Sequence, residues 1–315
     1  GLVDFKLYLP LDRKGATHQL VQEINPSVFV LVKYDFWLNL LTAVNKSTTT
    51  KILVNGLFGE NQFITSPIGA AWRSELKQFD QIYIQNESSL AKLQSLGFNN
   101  TVLSKDLRYD RVIQLKNQNH AVPNIDVFTG NKRTLILGSS WPEEEYIALQ
   151  YLITVKPDLK LIIAPHDVSV THIEKLQDQY KDFHPVLFTE AADFGKAQVL
   201  ILNTIGHLSS AYQYADFAFI GGAFGKGLHN VLEAAVYGLP MFTGSRIEKF
   251  PEAQTLAKLG ALVAVDQDPR HFIDVFIDLE QNQQKVEDIK QTLNDFIDSQ
   301  TGESQKISSY IQSKV

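Results

Sequence analysis

The sequence predicts an α/β protein made of two doubly wound parallel sheets facing a cleft. Two observations carry that reading: short apolar runs each followed by a helical pattern, and one polar passage that divides the series unequally. The first run, Val28-Phe29-Val30-Leu31-Val32, is β-branched and aromatic and too short for a buried helix. Runs at 51–54 and 81–84 follow it. The passage from Lys116 to Lys132, KNQNHAVPNIDVFTGNK, is the best boundary, so domains of 1–117 and 118–315 are expected. Beyond it come runs at 134–137, 160–164, 185–188, 198–202, 217–220, 240–242 and 261–265, enough for a complete doubly wound domain. The first domain, with three or four strands, reads as incomplete. The lysine- and glutamine-rich end, 281–315, reads as solvated helix, its last helix packing back on the first domain.

Composition narrows the function. A chain of 315 residues with 44% hydrophobic side chains supports proper cores and a soluble globular protein. A net charge of −6 without a basic block gives no drive toward nucleic acid. The absence of cysteine excludes disulfides, thiolate metal sites and a thiol nucleophile. No apolar run approaches the ~20 residues of a membrane helix. Gly1-Leu2-Val3-Asp4-Phe5 has no signal-peptide character and reads like a cut end.

The turns after the predicted strands are where ligands of such sheets bind. After 217–220 comes GGAFGKGLHNVLEAA, with a helix expected from about His229-Asn230. Glycines let backbone approach a ligand, and N–H groups at a helix start favour an anion. Glu233, one turn into that helix, suits a pair of sugar hydroxyls. It is no Walker loop, because Lys226 precedes Gly227 rather than Ser or Thr, and Asn230 stands where the dinucleotide fingerprint needs glycine. The same residues also suit a plain strand-to-helix joint. Gly138-Ser139-Ser140 precedes Pro142-Glu143-Glu144-Glu145, where Ser140 with Glu143 makes a capping box. Pro165-His166-Asp167 and Asn203-Thr204-Ile205-Gly206-His207 end two further strands, so polar turns converge at one sheet edge.

The block ADFAFIGGAFGKGLHNVLEAAVYGLPMFTG (215–244), with NTIGHLSSAY (203–212), LILGSSWPEEE (135–145) and KFPEA (249–253), resembles the Kdo transferases of lipopolysaccharide synthesis. Earlier, YLPLD (8–12), VKYDFWLNLL (32–41), QNESSLAKLQSLGF (85–98) and DLRYDRV (106–112) follow the same family in order. The resemblance implies a GT-B glycosyltransferase with two Rossmann-like domains. It would move 3-deoxy-D-manno-oct-2-ulosonic acid (Kdo) from CMP-Kdo to the 6′-hydroxyl of a lipid A precursor, lipid IVA, inverting and without metal. By that likeness Gly222, Gly227, His229, Asn230 and Glu233 would hold phosphate and ribose, Ser139, Ser140, Ile205 and Gly206 would line the donor pocket, and Glu252 would form its far wall. The full-length form would lie at the cytoplasmic face of the inner membrane through an N-terminal segment.

Departures from the family are informative. Pro165-His166-Asp167 replaces a common arginine-histidine pair, leaving His166 as the cation when protonated. The family's general base, a glutamate in the first strands of its N-domain, is expected upstream of Gly1, and Asp35 is the fallback carboxylate; its other role is to start the helix before Phe36-Trp37-Leu38. Trp37, Trp72-Arg73 and Arg108 with Arg111 are the acceptor-side candidates for lipid phosphates, or else ordinary core and solvated residues. Asp266-Gln267-Asp268 matches a metal-holding pattern of other glycosyltransferases but precedes Pro269, where aspartates cap helices, so no metal is expected. Two other functions fit the residues: a non-catalytic nucleotide-binding module, and a GT-B enzyme using or epimerising UDP-sugars.

Overall fold

The computed structural model describes residues 3–59, 62–118, 120–190, 194 and 196–314. The chain forms two units, residues 1–110 with 300–315, and residues 111–299. The division thus falls inside the helix Leu107–Gln118, seven residues before the polar passage at 117/118 on which the sequence reading placed it.

In the first unit, β1 (Val28–Val32), β2 (Thr50–Gly56), β3 (Gln81–Ile84) and β4 (Thr101–Leu103) form a parallel sheet in the order β1-β2-β3-β4. Successive side chains alternate between faces. Leu31, Leu53, Ile82 and Ile84 pack with Leu41, Leu76, Leu93 and Phe98 on one face, whereas Ile52, Val54 and Tyr83 meet Ile307 on the other. The helix carrying Ile307, Glu303–Gln312, therefore belongs to the core of the first unit although it ends the chain.

Two helix starts in this unit are capped by residues distant in sequence. Asp12 accepts from the N–H groups of Asn39 and Leu40 (both 3.1 Å) at the start of helix Leu38–Asn45, the place the sequence reading gave to Asp35. Asp110 accepts from the N–H groups of Gly302 and Ser304 (both 2.7 Å), and Ser104 donates to Glu303 (3.1 Å). The first-turn N–H groups have no partner within a helix, so these carboxylates satisfy them.

In the second unit, β5 (Thr134–Ser140), β6 (Lys160–Pro165), β7 (Pro185–Leu187), β8 (Val199–Ile201), β9 (Phe217–Ile220), β10 (Met241–Gly244) and β11 (Leu262–Val265) form a wholly parallel sheet. Their order is β11-β10-β9-β5-β6-β8-β7. Phe217, Phe219, Phe242, Phe272, Phe276 and Tyr151 stack edge to face and in parallel under the centre of this sheet. The Tyr151 hydroxyl finds the Glu280 carboxylate at 2.7 Å, as a buried phenol requires. Strand order reverses between β5 and β9, strands after β5 being added on one side and those after β9 on the other, and the crevice at the carboxyl ends of such a pair is where open α/β sheets take ligands.

Burial pushes the Asp110 carboxyl up, but the backbone donors Ser304 and Gly302 outweigh it and hold it below the ordinary carboxylate range. Its contribution is therefore present above the unfolded carboxylate pKa and lost as pH falls through the lower folded value. Asp110→Ala is expected to lower stability by about 1 kcal/mol at neutral pH. Urea unfolding and amide exchange should show that loss, with faster exchange in 303–312, and the parent-variant difference should vanish in acid.

Candidate active site at the β5–β9 switch point

The site begins with two strand ends that cannot tolerate side chains between them. A Cβ on Gly221 would lie 2.2 Å from the Ser139 carbonyl oxygen, and one on Gly138 would lie 1.9 Å from the Tyr212 hydroxyl. The Gly221 N–H donates to the Gly138 carbonyl at 2.9 Å. Backbone thus packs directly on backbone where β5 and β9 end. Ser139 sits there with φ of 51°, a left-handed conformation that costs a non-glycine residue of order 1 kcal/mol and is characteristic of functional turns.

Glu144 joins the two turns. Its carboxylate is fully buried and accepts from the N–H of Trp141 (2.9 Å) and the N–H of Gly222 (3.0 Å). Burial pushes its pKa up to about 7 against the pull of those two donors. Glu145, 2% exposed, accepts from the Ser140 hydroxyl (3.0 Å) and lies 3.1 Å from His172 Nε2. Burial raises its pKa too, opposed by His172. These contacts correct the expected capping box. Trp141 is the N-cap and Glu144 its partner, while the Ser140 hydroxyl turns into the core toward Glu145.

The glycine-rich segment also differs from expectation. The Gly222 carbonyl accepts from Gly225 (3.2 Å), Lys226 (3.0 Å) and Gly227 (2.9 Å), and the Gly221 carbonyl accepts from His229 (3.1 Å). The N–H groups of 225–227 therefore close the turn on itself rather than forming an open anion nest. Gly222 and Gly227 adopt φ of 95° and 102°, and a Cβ at Gly222 would meet the Gly227 carbonyl at 2.2 Å, so the turn demands glycine. The helix expected from His229 starts at Leu232 and runs only to Ala235, because the Asn230 side-chain oxygen holds the Leu232 N–H at 3.2 Å in a local turn.

Over this backbone lies a ring stack. His166 stacks on Trp141 (centroids 4.5 Å, 21°) and meets His229 (4.8 Å), and the Trp141 indole N–H donates to His229 Nε2 at 3.3 Å. Lys226 Nζ sits 5.2 Å above the Trp141 ring. Burial, with His166 adding to it, pushes the His229 imidazole below its ordinary pKa, which suits a ring that accepts a hydrogen bond. Asn230 donates to Glu233 at 3.0 Å, fixing one carboxylate oxygen, and burial raises Glu233.

The remaining candidates are spread more widely. Ile205 is 85% exposed and Gly206 is open to solvent, both on the turn after β8. Glu252 lies in the first turn of helix Pro251–Lys258, after β10. Asp268 caps helix Pro269–Gln281 through the Arg270 N–H (3.0 Å). Among the described residues no group of three or more His, Asp or Glu is disposed to hold a metal ion, and no helix is long and apolar enough to cross a membrane.

In the first unit, Asp35 is exposed on the turn after β1, and Trp37 is half exposed beside Asp12 and Leu9. Arg73 donates to the carbonyls of Ile64 (2.9 Å) and Ser66 (2.5 Å), so this guanidinium ties down its own loop. Arg108 pairs with Asp106 at 2.7 Å. Arg111 donates to the Gln114 side chain at 2.8 Å, so all three arginines expected to meet lipid phosphates have intramolecular partners. The buried pair Glu144-Glu145 and the basic residues after β10 went unassigned in the sequence. The signal for the former was three successive glutamates behind a proline, where helix starts hide buried caps among solvated ones.

With this geometry in place, the comparisons are specific. Residues 2–111 match the family model described as 3-Deoxy-D-manno-octulosonic-acid transferase (kdotransferase). Over 267 residues the chain is 26% identical to the 3-deoxy-D-manno-octulosonic acid transferase of Chlamydophila psittaci, covering 82% of this chain and 61% of that protein. The enzyme of the same name from Haemophilus influenzae is 24% identical, covering 79% and 60%. The chain therefore spans about three fifths of these relatives. Among solved structures, Acinetobacter baumannii MurG matches with a TM-score of 0.57 at 13% identity, covering 99% of this chain and 82% of that one. The UDP-GlcNAc 2-epimerase of Methanocaldococcus jannaschii gives 0.58 at 13%, covering 86% and 74%. These likenesses show the GT-B type of fold.

Glu144→Gln puts an amide NH₂ against one of two backbone N–H donors. At pH 5 it is expected to cost about 1–3 kcal/mol in urea unfolding. Because the folded pKa is raised, the parent should lose stability as pH rises from about 4.5 to 7, by at most ~3 kcal/mol from this group. The variant should lack that fall, so its deficit should shrink at pH 8. Parallel profiles would remove Glu144 as the titrating group.

Proposed function

From this similarity to the Kdo transferases, we propose that the chain carries the donor site and part of the acceptor side of a glycosyltransferase that moves Kdo from CMP-Kdo to the 6′-hydroxyl of a lipid A precursor. The reaction inverts the anomeric centre, needs no metal, and takes place at the cytoplasmic face of the inner membrane. The observation that carries the reading is the pairing of the GGAFGKG turn with the GSSW turn at the sheet's switch point, in a chain related to these transferases.

The roles follow from the chemistry. The CMP phosphate lies over the β5 and β9 ends, where Lys226 supplies positive charge as the phosphate leaves and the His166 ring offers a hydrogen-bonding nitrogen. Glu233, oriented by Asn230, presents its second oxygen to the ribose hydroxyls. His229 stays neutral and holds the Trp141 ring in place. Gly206 and Ile205 flank the site from the β8 turn, with Ser139 below and Glu252 at its far wall. Transfer also requires a carboxylate to take the acceptor proton, and Asp35, exposed after β1, is the candidate within this chain. Trp37 is the acceptor-side contact offered here.

Calorimetry is expected to show CMP binding more tightly than UMP, with Glu233→Ala weakening CMP about tenfold or more, the value of hydrogen bonds to a charged group. No CMP binding, or equal binding by parent and variant, would contradict the donor-site reading. Turnover of CMP-Kdo with lipid IVA, abolished by Asp35→Asn, would support Asp35 as base; unaltered turnover would eliminate it.

A further inference from the structure

Beside the glycine-rich turn is a hollow of about 290 Å³ lined by three glycines, Gly222, Gly225 and Gly227, and by Arg246, Glu248, Lys249 and Phe250. Its glycines belong to the turn described above, whereas Arg246, Lys249 and Phe250 have no role assigned there. Its far wall is the segment after β10, held to the glycine turn by backbone. A Cβ on Gly244 would lie 2.6 Å from the Ala223 carbonyl carbon, and the Arg246 N–H donates to the Ala223 carbonyl at 3.0 Å. The guanidinium lies against Gly225, where an added Cβ would be 3.4 Å from Arg246 Nη1. Among the described residues neither Arg246 nor Lys249 is paired with a carboxylate, unlike Arg108 and Arg270, which have aspartate partners. Arg246 and Lys249 against the single lining carboxylate, Glu248, leave the hollow with a net charge of about one positive.

We infer that this hollow receives the sugar carboxylate of the donor, with Arg246 as the residue that selects a sugar acid over a neutral sugar. The inference rests on the donor reading above. A 2-ulosonic acid glycosidically linked to phosphate carries its carboxylate on the same carbon that bears the phosphate oxygen, so the two anions lie a few ångströms apart. The hollow is lined by the turn after β9 and the segment after β10, the strand beside β9 on the side away from β5, so it adjoins the proposed phosphate seat at the β5 and β9 ends. Arginine's planar fork fits a carboxylate bidentately, and an aldose donor offers nothing there for it to hold. His166 and Lys226 serve the phosphate on the other side of the turn.

The test compares two probes, CMP and freshly prepared CMP-Kdo, on the parent, Arg246→Gln and Arg246→Lys. Arg246→Gln is expected to weaken CMP-Kdo at least about tenfold while changing CMP less than about twofold, with Arg246→Lys intermediate. Because Arg246 is exposed, unfolding curves should coincide with the parent's. Equal losses for both probes would make Arg246 a phosphate ligand and overturn the inference, as would no loss for either. A parent that binds neither probe brings down the donor reading itself, and this inference with it; a parent that binds CMP with an indifferent Arg246 brings down this inference alone.

Discussion

The proposed donor edge depends on one constraint: the ends of β5 and β9 must meet backbone to backbone at the point where the strand order reverses. Gly221 permits the approach, the Gly221–Gly138 hydrogen bond closes it, and Gly138 leaves room for the Tyr212 hydroxyl beside it. Glu144 then gathers the next two N–H groups, those of Trp141 and Gly222, into one buried carboxylate. A parallel sheet leaves the turns after its strands with unsatisfied donors, and here an internal anion meets them. Everything placed above the seam, from the Trp141 ring to the Gly222–Gly227 turn, takes its position from that arrangement.

A buried acid beneath the proposed phosphate seat raises an electrostatic question. Ionised, Glu144 would repel a phosphate seated above it, and in a poorly solvated site that repulsion is felt over several ångströms. Burial raises its pKa to about 7, so the group carries less negative charge at neutral pH than a solvated glutamate, which eases the conflict. The stacked Trp141, His166 and His229 rings and the Lys226 ammonium screen it further. With the N–H groups of 225–227 engaged on the Gly222 carbonyl, attraction for an anion falls to these side chains rather than to an open nest.

Much of this architecture was legible in the sequence because it is encoded locally. Val28–Val32, Gln81–Ile84 and Phe217–Ile220 appear as strands over the very residues whose β-branched and aromatic character marks them. The short edge strand Thr101–Leu103 is less distinct, since Val102 and Leu103 are about half exposed and its polar surroundings mask the run. The glycine turn was placed correctly after β9, but its hydrogen-bond closure was not, because which N–H a carbonyl takes depends on turn geometry rather than on composition. Asp12, Asp110 and Glu144 cap or bridge segments 27 to 194 residues away, and a carboxylate's partner at that distance leaves no periodic trace. Arg246 was missed for the same reason: it matters through its contact with Gly225, not through its neighbours in the chain.

The central claim is that nucleotide binds at the β5–β9 switch point. Amide chemical-shift mapping during a CMP titration tests it directly. The shifts should concentrate in Gly138–Trp141, His166 and Gly221–Glu233, leaving the opposite end of the sheet, around Arg133, Asp216 and Lys290, unmoved. Shifts centred on that opposite hollow, with the glycine turn silent, would contradict the account.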